Sequence, residues 1–415
     1  MRKPLRWLGL FVSVGTLVAS GLTGTFPAAA AGGGAPGITS GTVKIGIISD
    51  LTGDASSTFA DSPAAMEARF KQINASGGVD GRKIIWSVAD TQSSSTTAET
   101  AAKALVQSQS VFAISEVSAL MFGAAPYLQK AGVPVLGSQL DGPEWYEQPN
   151  TNMFNIEGPN SPSEPAYTDY ANLYKSLGVK KVSEIASNTP SSTRTQTSFE
   201  EADKSVGLST CDDTVVPLGD VNFTTYALSF KSAGCDLANC SCVLSSSLAV
   251  STALKQEGLS DTKVVFDAGP SNQVTSTPAD ITASTGAYFP SLISFTDAAG
   301  KTMLAGLKKY DPSYKGGTPD LGAIDGWQVA NLTLEGLQVA GQNPTRTSFI
   351  TKLRNVSNWN DNGLAAPVSF VHFGQAPPKM CYYFYEFVNK KYVPTPRNGK
   401  PTCGKELPGT GTSTS

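Results

Sequence analysis

The strongest constraint on this chain is an alternation run through twice: short β-branched stretches, each followed by an amphipathic segment of helical period. Thr42-Val43-Lys44-Ile45-Gly46-Ile47-Ile48 reads as a buried strand. Met66, Phe70 and Ile73, spaced four and three apart, give the next segment one apolar helical face. Gly77-Gly78 stops that helix, and Val79-Asp80-Gly81-Arg82 turns the chain into a second strand, residues 83–88. A helix with Ala98, Ala101, Ala102 and Leu105 inward follows, then a strand at 111–114, a helix at 121–130 and a strand at 133–136. The series restarts after Gly158-Pro159-Asn160-Ser161-Pro162. Helices are expected around Tyr170, 199–206, 226–232 and 250–256, and strands around Val182 to Ala186, 214–218, 242–244 and 263–266. Repeated βα units imply parallel sheets covered by helices. Two series imply an α/β fold of two doubly wound, Rossmann-like lobes.

In open sheets of this kind a ligand sits outside the carboxyl ends of the strands, where the strand order reverses. The loops at those ends are 50–58, 115–119, 137–139, 188–195, 245–248 and 267–272. They are rich in Ser, Thr, Asn and Gly and poor in Lys and Arg. Such loops suit a small polar or zwitterionic ligand rather than a phosphate. From them come Ser57, Thr58, Ser118 and Ser138 as candidate ligand contacts on the first lobe. Ser192, Ser246, Asp267 and Asn272 are the candidates on the second. Asp267 suits a ligand amine, or equally caps the Ser271 region. Trp145 either walls an apolar ligand or packs as a surface aromatic. Glu116 either faces the cleft or is solvated, and Trp327 belongs to a helix core.

Residues 1–31 carry Arg2, Lys3 and Arg6 ahead of an apolar run and an alanine stretch, the pattern of a cleaved secretory signal. Its removal takes three positive and no acidic residues, so the formal charge of −3 becomes −6. No cysteine lies near the cleavage site, so no lipid anchor on a mature N-terminal cysteine is expected. An acidic, evenly charged chain offers no basic face to a nucleic acid. Gly32 to Gly37 matches G-x-G-x-x-G but lacks a preceding strand, and reads as a flexible leader. The single histidine, His372, is expected in a strand near the end of the second lobe. No G-x-S-x-G nucleophile motif accompanies it, so no catalytic residue, cofactor or metal is expected.

Six cysteines outside the cytoplasm favour disulfides over a metal site. Fifteen pairings are formally open to six cysteines. Cys381 with Cys403 would tie down a C-terminal hairpin, leaving Cys211, Cys235, Cys240 and Cys242 to form two more bridges. Residues 404–415, rich in Pro, Gly, Thr and Ser, read as a disordered tail.

Several strings resemble the type I periplasmic solute-binding proteins, in particular the branched-chain amino-acid (Leu/Ile/Val) binding family of ABC transporters. They are Val43-Lys44-Ile45-Gly46 with Leu51-Thr52-Gly53, and Asn74-Ala75-Ser76-Gly77-Gly78-Val79-Asp80-Gly81-Arg82. Ala131-Gly132-Val133-Pro134-Val135, Asp220-Val221-Asn222-Phe223 and Asp325-Gly326-Trp327-Gln328 complete the set. The resemblance implies two lobes joined by a three-segment hinge, with crossings near 156–160, 290–293 and 364–368. Lobe one would be 42–157 with 294–363, and lobe two 161–290 with 369–403. It implies that Ser118 and Ala119, with Ser138 and Gln139 beyond, meet a ligand carboxylate, and that Asp267 meets an ammonium. Asn188 to Thr193 lacks the aromatic residue that the family places there. This widens the expected ligand from a branched-chain amino acid to a small organic solute such as an amino acid or amide. The implied protein is a monomer outside the cytoplasm that closes on its solute and delivers it to the membrane permease of an ABC importer. The same clamp could alternatively report its ligand to a signalling partner.

Overall fold

The computed structural model describes residues 35–138, 142–157 and 165–407. The expected signal segment, the leader before Ala35, Gln139, the first crossing beyond Glu157 and the tail beyond Leu407 lie outside them. The first sheet contains β1 (Thr42–Ser49), β2 (Lys83–Asp90), β3 (Ala113–Val117), β4 (Val135–Gly137) and β5 (Met153–Asn155), all parallel in the order β2-β1-β3-β4-β5. β1 is buried on both faces, as its near-continuous apolar run requires of a central parallel strand. Ile45 and Ile47 face a core shared with Met66 and Phe70 of the helix Ser62–Ala75 and with Val329 and Leu332 of the helix Leu321–Ala340. On the opposite face Ile48 meets Ala98, Leu105 and Leu128. The short β5 has too few residues to show a period and was not expected.

The glycine-rich turn has a direct physical reading. Asn74 donates to the Ile84 carbonyl and accepts from the Ile84 amide, both at 2.7 Å, so its side chain imitates a strand neighbour at the start of β2. Gly78 has φ of +85°, and a Cβ there would sit 1.9 Å from the Arg82 carbonyl. Only glycine fits that turn.

The second sheet contains β6 (Lys181–Ser187), β7 (Ser209–Thr210), β8 (Thr214–Val216), β9 (Leu237–Ser241), β10 (Lys263–Phe266), β11 (Tyr288–Ser291), β12 (Lys379–Val388), β13 (Lys391–Thr395) and β14 (Thr402–Lys405). β7 and β8 lie in succession along the outer edge of β6. The order inward is β6-β9-β10-β11, parallel, and β12 then pairs antiparallel with β11, β13 and β14. The parallel part repeats the order of the first sheet, with its reversal between β6 and β9.

Several sequence expectations are corrected. The strand expected at 242–244 is β9, ending at Ser241, and Leu244–Gln256 is a helix. All five residues of β9 are buried, so no two-residue alternation marked it. The helix expected at 199–206 starts at Pro190, capped by Thr189, and Ser56–Phe59 forms a helical turn inside the expected loop. His372 lies in an exposed turn, its carbonyl accepting from the Gln375 amide at 3.0 Å. Residues 35–41 are not a flexible leader: Ile38 pairs with Val43, and Gly37 abuts the backbone of Ser110 to Phe112.

The return of the chain between sheets is visible in the packing. β11 ends at Ser291, and Ile293 already shares a core with Ala65 and Trp327, which is helix core as expected. Phe370 still stacks edge-on against Phe154 and tilts onto Trp359, so the last passage to β12 falls within 371–378, after the expected 364–368. Gly404 and Lys405 belong to β14, and the Leu407 amide donates to the Ala166 carbonyl, so the ordered chain extends past the expected tail boundary at 404. Cys381 and Cys403 face each other across β12 and β14 and are bridged. Cys211–Cys235 and Cys240–Cys242 are the other two disulfides. Among the described residues no helix is long and apolar enough to cross a membrane.

Candidate functional site

The carboxyl ends of the strands at both order reversals face each other across the gap between lobes. A cavity of about 120 Å³ lies between them, lined by Ala119 after β3, Ser187 at the end of β6, and Ser241 and Cys242 at the end of β9. Thr58, Phe59, Thr189 and Ser192 complete its polar and apolar walls. Ser187 is 2% exposed, and among the described residues its Oγ has no hydrogen-bond partner. A second cavity of about 250 Å³ shares Asp267, Thr195 and Leu321 with the first and extends toward the passages between lobes. Leu321, Ile324, Asp325 and Gln328 all line it. Their spacing of three, one and three puts them on one face of the helix Leu321–Ala340.

Hydrogen bonds latch the lobes together beside these cavities. The Leu244 amide donates to Thr58 Oγ1 at 2.9 Å, and Gln273 Nε2 donates to the Ser57 carbonyl at 2.8 Å. The Ser271 hydroxyl and the Asn272 amide both donate to Asp320 Oδ1, just before the helix Leu321–Ala340.

Asp267 occupies the junction of the two cavities. Its carboxylate accepts from Tyr170 Oη at 2.5 Å and from Ser241 Oγ at 3.1 Å. Burial raises its pKa, while those two hydrogen bonds oppose the rise. Glu157, just past β5, is pushed up to about 7 by burial and then by Asp267 and Asp169. Asp169, the first residue of the helix Asp169–Ser176, is likewise pushed up to about 7, chiefly by burial. Asp325 is raised well above the carboxylate range by burial, with Glu157 adding to it. Tyr170 stacks with Phe199 at 4.4 Å and meets Tyr382 edge-on at 5.2 Å, so one wall is aromatic.

The candidate residues therefore divide. Thr58, Ala119, Ser192 and Asp267 line a cavity, although Thr58 is also part of the latch. Ser57 and Asn272 join the lobes and do not line either cavity. Ser118 is fully buried and donates to Asp50 Oδ1 at 2.9 Å, while the Ala119 amide donates to Asp50 Oδ2 at 2.8 Å. Both donors expected to meet a ligand carboxylate are thus engaged by a carboxylate of the protein itself. Ser138 is buried, and Ser246 lies inside the helix Leu244–Gln256, away from both cavities. Glu116 is completely buried in β3 rather than facing the cleft. Trp145 packs in the core with Ala125 and Leu128.

Glu157, Asp169, Tyr170, Asp325 and Tyr382 escaped the sequence reading. Asp325 stood within a recognised string, but only the three-dimensional crossing shows which face of its helix meets the cleft. Tyr170 and Phe199 supply the aromatic wall that Asn188 to Thr193 lacks.

Two lobes of like topology, closing a chamber between the ends of their strands, define a clamp-type binding protein. Residues 42–392 match the family described as periplasmic binding protein, and the chain belongs to that family. Its members are extracytoplasmic solute-binding proteins that take small molecules and work with ABC transporter permeases. Similar folds include the fatty acid ABC transporter substrate-binding protein from Thermomonospora curvata. It is 18% identical with a TM-score of 0.73, the match covering 91% of this chain and 95% of that one. An R. palustris solute-binding protein in complex with 4-hydroxybenzoate is 17% identical with a TM-score of 0.70, over 90% and 100% of the chains. The branched-chain amino acid transporter substrate-binding protein LivJ from Streptococcus pneumoniae, in complex with isoleucine, is 20% identical with a TM-score of 0.69, over 85% and 99%. No curated protein sequence matches the chain.

Proposed function

We propose that this protein captures a small organic solute in the joined cavities between its lobes, closes on it and delivers it to the permease of an ABC importer. The observation carrying this reading is the chamber itself. Strand ends from both order reversals converge on it, and hydrogen bonds latch the lobes across its rim. Each lobe alone offers half a site, so a solute touching both stabilises the closed form by its differential affinity. Asp267, Thr58, Ala119 and Ser192 are the expected residues that would meet the solute or shape its pocket. We propose the domain division that the sequence suggests, with the last crossing at 371–378. The protein acts as a monomer outside the cytoplasm after cleavage of the segment 1–31.

A thermal-shift screen tests this. The panel is leucine, isoleucine, benzoate, 4-hydroxybenzoate, a medium-chain fatty acid, neutral amides, amino acids with charged side chains and diamines. A true solute at about a hundred times its Kd stabilises the folded state by about 2.7 kcal/mol, raising the melting temperature by several degrees. A flat response across every class would count against the solute-binding reading.

A further inference from the structure

The larger cavity has a charge that the fold alone does not explain. Glu157, Asp169, Asp267 and Asp325 line it, and among the described residues no Lys, Arg or His does. The smaller cavity adds no basic residue. Asp169 shows that the acidic lining is directed inward. Asp169 is 2% exposed, its Oδ1 accepts from the Tyr170 amide, and among the described residues its Oδ2 lines up with no donor. A buried carboxylate oxygen without a partner carries a substantial desolvation cost unless a ligand supplies the missing donor.

We propose that the solute is an organic cation, with at least one protonated nitrogen seated among Glu157, Asp169, Asp267 and Asp325 and its carbon body against Tyr170 and Tyr382. This rests on the solute-binding reading above and names the ligand class of the same chamber. The aromatic wall suits such a ligand, because ring faces attract a cationic nitrogen and cover its methylenes. A benzoate or fatty-acid carboxylate would enter beside four carboxyl groups, with no Lys, Arg or His among the described lining residues to receive it. Two donors at the reversal of the first sheet, Ser118 Oγ and the Ala119 amide, are already engaged by Asp50. A bare metal ion does not fit either. Among the described residues no three His, Cys, Asp or Glu side chains converge closely enough to hold one.

Binding is expected to depend on pH. The groups facing Glu157 are Asp169, Asp267 and Asp325, all acidic, and the tyrosines Tyr170 and Tyr382 stay neutral. A cation favours the ionised carboxylates, so it binds more tightly above about pH 7 and releases protons as it binds below that.

The test is titration calorimetry of the mature protein with putrescine, lysine, arginine and choline, against leucine, benzoate and a neutral amide. At least one cation should bind about a hundredfold more tightly than any neutral or anionic compound. Its affinity should rise about tenfold between about pH 6 and about pH 8. Asp169→Asn and Asp325→Asn should each weaken it about tenfold or more. The two variants act from different elements, and their melting curves confirm folding. Tight binding of leucine, benzoate or the amide with none of the cations would overturn the cation assignment and leave the solute-binding reading standing. Cation affinity unchanged in both variants would also overturn it. No binding by any compound of either class would count against both readings.

Discussion

Asp267→Asn will reduce affinity for the solute by about two orders of magnitude while leaving the protein folded. Asp267 stands where the two cavities meet and is half of the only polar pair, with Tyr170, that joins the aromatic wall to the end of β10 among the described hydrogen bonds. Removing one partner of a desolvated charge contact costs about 2–5 kcal/mol of binding, mostly through faster dissociation. Stability of the variant relative to the native protein should move little or upward as pH rises. The sign follows from linkage: a carboxylate whose folded pKa is raised supports the fold below its unfolded pKa and loses that support as pH climbs through the folded value. Above its raised folded value the ionised Asp267 therefore strains the empty chamber, and a neutral amide relieves part of that strain. Calorimetric affinity and melting curves at about pH 6 and about pH 8 check both halves of this expectation.

The second large effect concerns a residue that touches no solute. Gly326→Val will destabilise the protein by about 3 kcal/mol and lower its melting temperature by several degrees. The helix Leu321–Ala340 crosses the helix Ser62–Ala75 so closely that a Cβ on Gly326 would lie 2.3 Å from the Ser62 carbonyl. The neighbouring Gly322 would likewise meet the Thr58 carbonyl at 2.6 Å. Backbone carbonyls cannot turn aside as a flexible side chain can, so the helix itself must shift. That helix carries Leu321, Ile324, Asp325 and Gln328 into the larger cavity, so affinity should fall together with stability. Denaturant unfolding separates the two. A loss well under about 1 kcal/mol would show that the crossing is softer than its geometry implies.

These two residues illustrate what the sequence could and could not reveal. Asp267 was legible because it follows the strongly β-branched Lys263-Val264-Val265-Phe266, and strand ends are where open sheets bind ligands. The parallel strands β1 to β4, β6, β8 and β10 and most of their helices were legible for the same reason, since local period and glycine stops are written along the chain. β9 was displaced because a strand buried on both faces shows no alternation. Asp169 and Tyr382 were not legible, since they sit on a helix start and on a strand paired antiparallel at the far side of the second sheet. Neither follows a parallel strand, and only tertiary packing brings them to the wall of one chamber. Ser118 was misread for a related reason. Its position at the reversal is right, but Asp50 had already claimed its hydroxyl across the loop. The disulfide between Cys381 and Cys403 was legible because two cysteines flank an apolar run of hairpin length. The pairing of the other four stayed open in the sequence: Cys240 and Cys242 bridge at the end of β9, and Cys211 just after β7 meets Cys235 just before β9.

The measurement that bears most directly on the central claim is titration calorimetry of the mature, dialysed protein with the solute selected by thermal shift, beside the same titration of Asp267→Asn. The account predicts one solute per chain, binding by the native protein, and an affinity about a hundredfold lower in the variant. A solute that binds the native protein and Asp267→Asn equally well would contradict it, because the chamber between the lobes would then not be the place of capture.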